Sequence, residues 1–425
     1  MRWIDMARSK VRVVPWLDSH RKKRDLQVES GPTDAARLVL LSRGLRGFCD
    51  GFVAVLLPSY MFALGFQELQ VGLVSSATLI GSALATLAVG TLSHRFALRH
   101  MLLVAAGLMA ATGLAFASLS ALWPLVVVAF VGTLNPGGGD VSLFLPLEHS
   151  WLAGATQGDA RTHVFARYTL IGALCAATGS LAAGIPSWLS LHAGVSTLVA
   201  LRMMFVVYAV VGVVNWLLYR RLPRAHTAAL ATSKPLGPSR RIVRRLALLF
   251  SIDAFAGGLL VNSLLSLWLL QRFGLSAAQA GQFFFVAGLL SATSQLLAPV
   301  LARRVGLLNT MVFTHIPSSL FLIAAAFSPS LLPTVILLLL RSALSQMDVP
   351  TRSAFVMAVV TPPERVAAAS FTAIPRSLAA ALAPLMTGGL LGAGWLAAPL
   401  VVCGSLKITY DLALLAAFRK IRPED

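Results

Sequence analysis

Four aspartates stand inside long apolar runs: Asp50 in RGLRGFCDGF, Asp140 at the end of LNPGGGD, Asp253 in SIDAFAGG and Asp348 in SQMDVP. A carboxylate surrounded by hydrocarbon is costly to keep charged. Its useful chemistry there is reversible protonation or pairing with a cation, so each is a functional candidate. Asp50 leads as a proton-coupling residue, because Arg46 lies one helical turn before it and Arg43 two turns before it. Burial and a neighbouring cation act on such a carboxyl in opposite directions. Two readings of Asp50 stay open: a proton carrier assisted by Arg46, or a structural i, i+4 ion pair with Arg46. Asp253 has no cation near it in sequence and is the second proton-coupling candidate. In the last apolar run Lys407 and Asp411 stand four residues apart, a spacing that reads as a mutually neutralising pair.

The elements that must position these groups are set by composition. The 425-residue chain is 57% hydrophobic and only 12% charged, against about 25% charged in soluble domains. Lipid is therefore the solvent for most of its side chains. Crossing the roughly 30 Å hydrocarbon layer takes a helix of about 20 apolar residues. That ruler finds twelve spans, near 37–64, 71–92, 100–120, 123–146, 166–187, 196–219, 246–271, 279–302, 306–327, 331–351, 366–392 and 397–418. Short links such as LGFQELQ and SPSLLP make successive helices antiparallel neighbours, and the fold class is an all-α membrane bundle of twelve helices.

The net charge of +19 suggests nucleic acid until its distribution is followed. The basic residues gather in the amino-terminal tail and in 93–100, 161–167, 220–245, 303–304, 352–365 and 419–422, which form one alternating set of links. The other set holds essentially Arg272, with Arg202 near a helix start. This asymmetry places both termini and the 220–245 segment in the cytoplasm, in an inner or plasma membrane. No soluble basic domain is left to hold nucleic acid. The organisation that follows is a basic cytoplasmic tail (1–35), a six-helix bundle (36–219), a cytoplasmic linker (220–245), a second six-helix bundle (246–418) and a short tail (419–425). The tail lacks the apolar core and cleavage site of a signal peptide. Cys49, Cys175 and Cys403 lie in apolar runs without C-x-x-C spacing, so they read as small core residues, with no metal site. LNPGGGD lacks the lysine of a phosphate-binding loop and reads as a flexible break in span 4. Neither a cofactor nor an enzymatic activity is expected.

The two halves repeat. The register that takes Gly65 to Gly274 also takes Gly72 to Gly281, Leu92 to Leu301, Arg95 to Arg304 and Ala97 to Gly306, so GTLSHRFA (90–97) pairs with PVLARRVG (299–306). A slightly shorter offset takes Pro146 to Pro350, Arg161 to Arg365 and Gly184 to Gly388. Matched positions in two six-helix halves indicate internal duplication.

GTLSHRFALRH (90–100) resembles the loop signature between helices 2 and 3 of the major facilitator superfamily, roughly G-x-L-A-D-R-x-G-R-[RK]-[RK]. Gly90, Leu92, Ser93, Arg95 and Arg99 fit it, while His94 replaces the acid, Ala97 the second glycine and Leu98 a basic residue. The resemblance covers about residues 36–420. It implies alternating access, with helices 1, 4, 7 and 10 lining a central cavity, so the four aspartates become a pathway. It also implies that Gly90, Arg95 and Arg99, with Arg304 and Gly306 in the second half, form a cytoplasmic gate, which Asp140 and Asp348 would join as partners of Arg95 and Arg304. Gly90 would let a helix end approach its neighbour closely, and the arginines would bond helix-end carbonyls. Simple anchoring of the loop by its arginines is the competing reading. The function expected is proton-coupled secondary transport of a small molecule by a monomer in the bilayer, as an exporter of amphipathic compounds. The alternatives are a proton-coupled importer of nutrients or metabolites, or a non-transporting receptor or assembly factor on the same fold.

Overall fold

The computed structural model describes residues 34–92, 95–137, 142–156, 158–223, 237–361 and 364–419. Among them the regular elements are all helical. The first half contains α1 (Asp34–Ala63), α2 (Glu68–Leu92), α3 (Leu98–Ser118), α4 (Leu122–Val131), α5 (Phe144–Ala155), α6 (Gly158–Leu181), α7 (Ile185–Ala193) and α8 (Thr197–Arg220). The second contains α9 (Arg240–Gly258), α10 (Asn262–Phe273), α11 (Ala277–Val305), α12 (Leu307–Phe327), α13 (Leu331–Ser345), α14 (Asp348–Val359), α15 (Arg365–Gly392) and α16 (Ala398–Phe418). Ten helical stretches among the described residues are long and apolar enough to cross a membrane. They include the joined segments Arg240–Phe273 and Leu331–Val359. The first and fourth spans expected from the sequence correspond to α1, which is 30 residues long but carries charge, and to the broken pair α4 and α5.

Two span ends bear on the candidate site. The fourth crossing carries the break expected at LNPGGGD and runs past 146. Its helix stops at Val131, the chain runs irregularly through Gly132–Gly137 and helix resumes at Phe144, because Gly and Pro disfavour a continuous helix. Residues 138–141, and Asp140 with them, lie outside the described residues, as do Ser93 and His94. The tenth crossing extends eight residues past 351 to Val359. Glu148, on α5, and Arg352, on α14, therefore belong to the bundle and not to loops.

Repeat-related glycines hold equivalent places. Gly65 and Gly274 both turn the chain after a crossing in the left-handed region, at φ 85° and 66°, which glycine adopts without strain. A methyl group on Gly72 would come within 2.5 Å of the Pro384 carbonyl oxygen, and Gly388 packs against Glu68 and Gly72 in the same α2–α15 contact. Gly281 meets Ser180, and Gly184 meets Ala278, in the contact between α11 and the segment from α6 to α7. One half thus reaches the other through two pseudo-symmetric, glycine-lined helix pairs.

These contacts share one end of the bundle. The hydrogen bonds Gln271 to Glu68 (2.6 Å), Leu385 N–H to Ser76 (2.9 Å), Ser263 N–H to the Pro136 carbonyl (3.1 Å) and Ser180 to the Gly281 carbonyl (3.1 Å) join the halves there. Ser75 and Ser263 lie 3.3 Å apart at the same end. The opposite end is the basic one, where Arg95, Arg240, Arg241, Arg244, Arg245, Arg303, Arg304, Arg365 and Arg419 are exposed. At that end Glu364 ties the start of α9 to the start of α15, accepting from the Gly237 and Ser239 N–H groups at 3.0 and 3.1 Å. The Ser239 side chain and these backbone donors hold the Glu364 carboxyl below the usual carboxylate range.

Candidate functional site

Asp253 is the hub of a buried charge network assembled from four crossings. Its Oδ1 accepts from Lys407 Nζ at 2.8 Å and its Oδ2 from Arg352 Nη1 at 2.9 Å. Arg352 also pairs with Asp348 one turn before it, at 3.3 Å. Lys407 Nζ lies 3.2 Å from His315 Nε2, and His315 Nδ1 lies 3.0 Å from Asp411 Oδ2. His315 Nε2 is 3.9 Å from Asp253 Oδ1, and the Tyr410 ring stands 6.2 Å from the imidazole. Asp253, Asp348, Arg352, His315 and Asp411 are each 6% exposed or less.

A lysine ammonium has only protons to offer, so a hydrogen bond from Lys407 to His315 Nε2 uses the imidazole's lone pair, and Nδ1 then carries the hydrogen that Asp411 accepts.

The first half carries its own buried cluster. Both oxygens of Glu148, which is fully buried, are occupied: Oε2 by Arg46 and by the Tyr168 hydroxyl (2.6 Å), Oε1 by the Tyr219 hydroxyl (2.7 Å). Ser42 extends it, 2.6 Å from the Tyr219 hydroxyl and 2.7 Å from Asn215 Oδ1. The Arg46 guanidinium lies over Phe144 at 4.0 Å. Asp50 lines a small pocket with Arg43, Arg46, Met109, Thr133, Ser142, Phe144 and Tyr208.

Several sequence expectations change. Arg46 takes Glu148 as its hydrogen-bonded carboxylate, with Asp50 a weaker electrostatic neighbour, so the i, i+4 pair is not its main partnership. Lys407 and Asp411 do not neutralise each other, because Lys407 turns to Asp253 and Asp411 to His315. Asp348 is held by Arg352, while Arg304 is exposed. No atom among the described residues lies within 4 Å of the position a Gly90 side chain would fill. Arg99 does bond a helix end, donating to the Arg220 carbonyl at 2.6 Å, and Arg95 lies exposed nearby. Gly306, at φ 89°, joins α11 to α12.

Sequence reasoning missed Glu148, His315, Arg352 and Arg376. His315 had a usable signal: it is a single histidine in the middle of an apolar run, and ionisable groups there are functional candidates by default. Glu148 and Arg352 were hidden by span ends drawn too early.

A bundle of apolar crossings with pseudo-repeated halves and ion clusters inside defines a multi-pass membrane transporter fold. The chain belongs to the Major Facilitator Superfamily, whose profile matches residues 39–347. It is 24% identical over 418 residues to an uncharacterized membrane protein of Saccharomyces cerevisiae, covering 90% of this chain and 93% of that one. In structure it is similar to the nucleoside transporter NupG, with a TM-score of 0.70 at 17% identity over 92% of this chain and 100% of that one. It is also similar to the inward open conformation of the xylose transporter XylE from E. coli, with a TM-score of 0.71 at 14% identity over 92% of this chain and 96% of that one.

Proposed function

We propose that the chain is a proton-coupled secondary transporter of a small organic molecule, with the Asp253–Lys407–His315–Asp411 cluster as its coupling site and the basic end facing the cytoplasm. The observation that carries this reading is the Lys407 contact at His315 Nε2. Protonation and that contact exclude each other, so a proton arriving at Nε2 releases the ammonium from the imidazole and leaves it on Asp253 alone. Four crossings meet at this point, and a change in their ion pairing bears directly on how they pack. The halves touch at the glycine-lined end, which supports a state open toward the basic end. Arg304 is exposed at the opposite, basic end, as a gate residue would be in that state. The direction of transport follows from whether cargo and proton compete at the cluster, which gives export by exchange, or favour each other, which gives entry together.

His315→Gln tests the coupling. Glutamine keeps an acceptor for Lys407 and a donor for Asp411 but takes no proton. In proteoliposomes screened with a panel of small organic molecules, the variant is expected to retain downhill exchange and to lose accumulation driven by a pH gradient. Gradient-driven accumulation equal to wild type would remove His315 from the mechanism.

A further inference from the structure

We infer that Arg376 is the cargo's anchor and that the cargo carries a carboxylate or a similarly compact anionic group. This rests on the transport reading and names its substrate class. Arg376 is the twelfth residue of the 28-residue α15, well inside the bilayer, yet its side chain is exposed. A guanidinium at that depth does not face lipid, where it would cost several kcal/mol. On this inference it faces the space between the halves.

Its direction follows from helix geometry. Ala380 and Ala383, one and two turns beyond Arg376 on the same helix face, are the groups that abut Gly258 of α9. The helices are parallel in the bundle. Asp253 lies about 7.5 Å before Gly258 and Arg376 about 6 Å before Ala380, at 1.5 Å per residue, so the two stand at one depth, on facing helices. One turn from the Gly258 contact the gap has opened enough for solvent to reach Arg376.

Charge makes this gap an anion site. The strongest electrostatic neighbour of Arg376 is another cation, Arg352, ahead of Asp253 and Asp348. Both acids are already taken by Arg352 and Lys407. Among the described residues no hydrogen bond or ion pair involves the Arg376 guanidinium, which leaves its planar fork for a bidentate partner. A proton added to the neighbouring cluster makes its charge more positive and strengthens the hold on an anion. Proton and anion therefore bind cooperatively, and the anion enters with the proton instead of being exchanged for it.

Melting of the purified full chain in nanodiscs tests this with benzoate, 1-naphthoate and octanoate, each beside its uncharged amide. At least one acid is expected to raise the melting temperature where its amide does not. Titration is expected to show affinity weakened about tenfold or more in Arg376→Gln, partly kept in Arg376→Lys, and tightening in wild type as pH falls. Equal shifts from acids and amides, no shift from any acid, or full acid binding by folded Arg376→Gln would each overturn the inference. Acid binding that survives in a His315→Gln protein with unimpaired gradient-driven transport would keep the anion site and discard the coupling reading.

Discussion

Asp253→Asn is expected to abolish gradient-driven transport and to destabilise the second half by about 3–5 kcal/mol, because it leaves buried cations without their shared carboxylate. Lys407 loses its 2.8 Å partner and Arg352 keeps only Asp348. The stability loss alone would be a structural result. The decisive comparison is the double variant Asp253→Asn with Lys407→Met, which removes one charge of each sign and places an apolar chain of similar length in the vacated space. Its melting temperature is expected to recover most of the loss while pH-driven accumulation stays absent. Recovery of both would reduce Asp253 to an ion-pair partner.

Glu148→Gln carries the second large effect. Glu148 is fully buried and accepts from Arg46, Tyr168 and Tyr219 together, so neutralising it strands Arg46 and is expected to cost about 3–5 kcal/mol. Replacing the pair together, Arg46→Met with Glu148→Leu, is expected to restore thermal stability, since well-packed apolar residues often substitute for a buried ion pair at little cost. Asp50→Asn is expected to shift the melting temperature far less than Glu148→Gln. The reverse order would return Arg46 to Asp50.

The fold was legible in the sequence because lipid imposes a simple rule: runs of about 20 apolar residues, separated by links whose charge alternates. The duplication was legible too, since Gly72 and Gly281 answer to the same requirement, a backbone-to-backbone approach between halves. Asp253 could be picked out as an acid in an apolar run, but its partners could not. Lys407 and Arg352 come from other crossings, and nothing in sequence spacing reports which helix face meets which. The i, i+4 rule misled at Lys407 and Asp411 for that reason: a pair that neutralises itself on an isolated helix is outcompeted when a bundle offers each member a buried partner. The break at LNPGGGD was legible, but Glu148 was lost because the fourth span was still measured as one unbroken helix, whereas the non-helical stretch lengthens the crossing and carries α5 past 146.

The central claim is that a proton at His315 and the state open toward the basic end exclude one another. Spin labels at Phe96, between α2 and α3, and at Val305, the last residue of α11, which are 52% and 46% exposed at the basic end, report the width of that opening by electron–electron distance measurement in nanodiscs across pH 5–8. The account predicts that the long-distance population of the otherwise wild-type protein falls as pH falls, because protonation of Nε2 breaks the Lys407 contact that belongs to the open state, and that in His315→Gln the distribution stays constant. The same pH dependence in both proteins would contradict it.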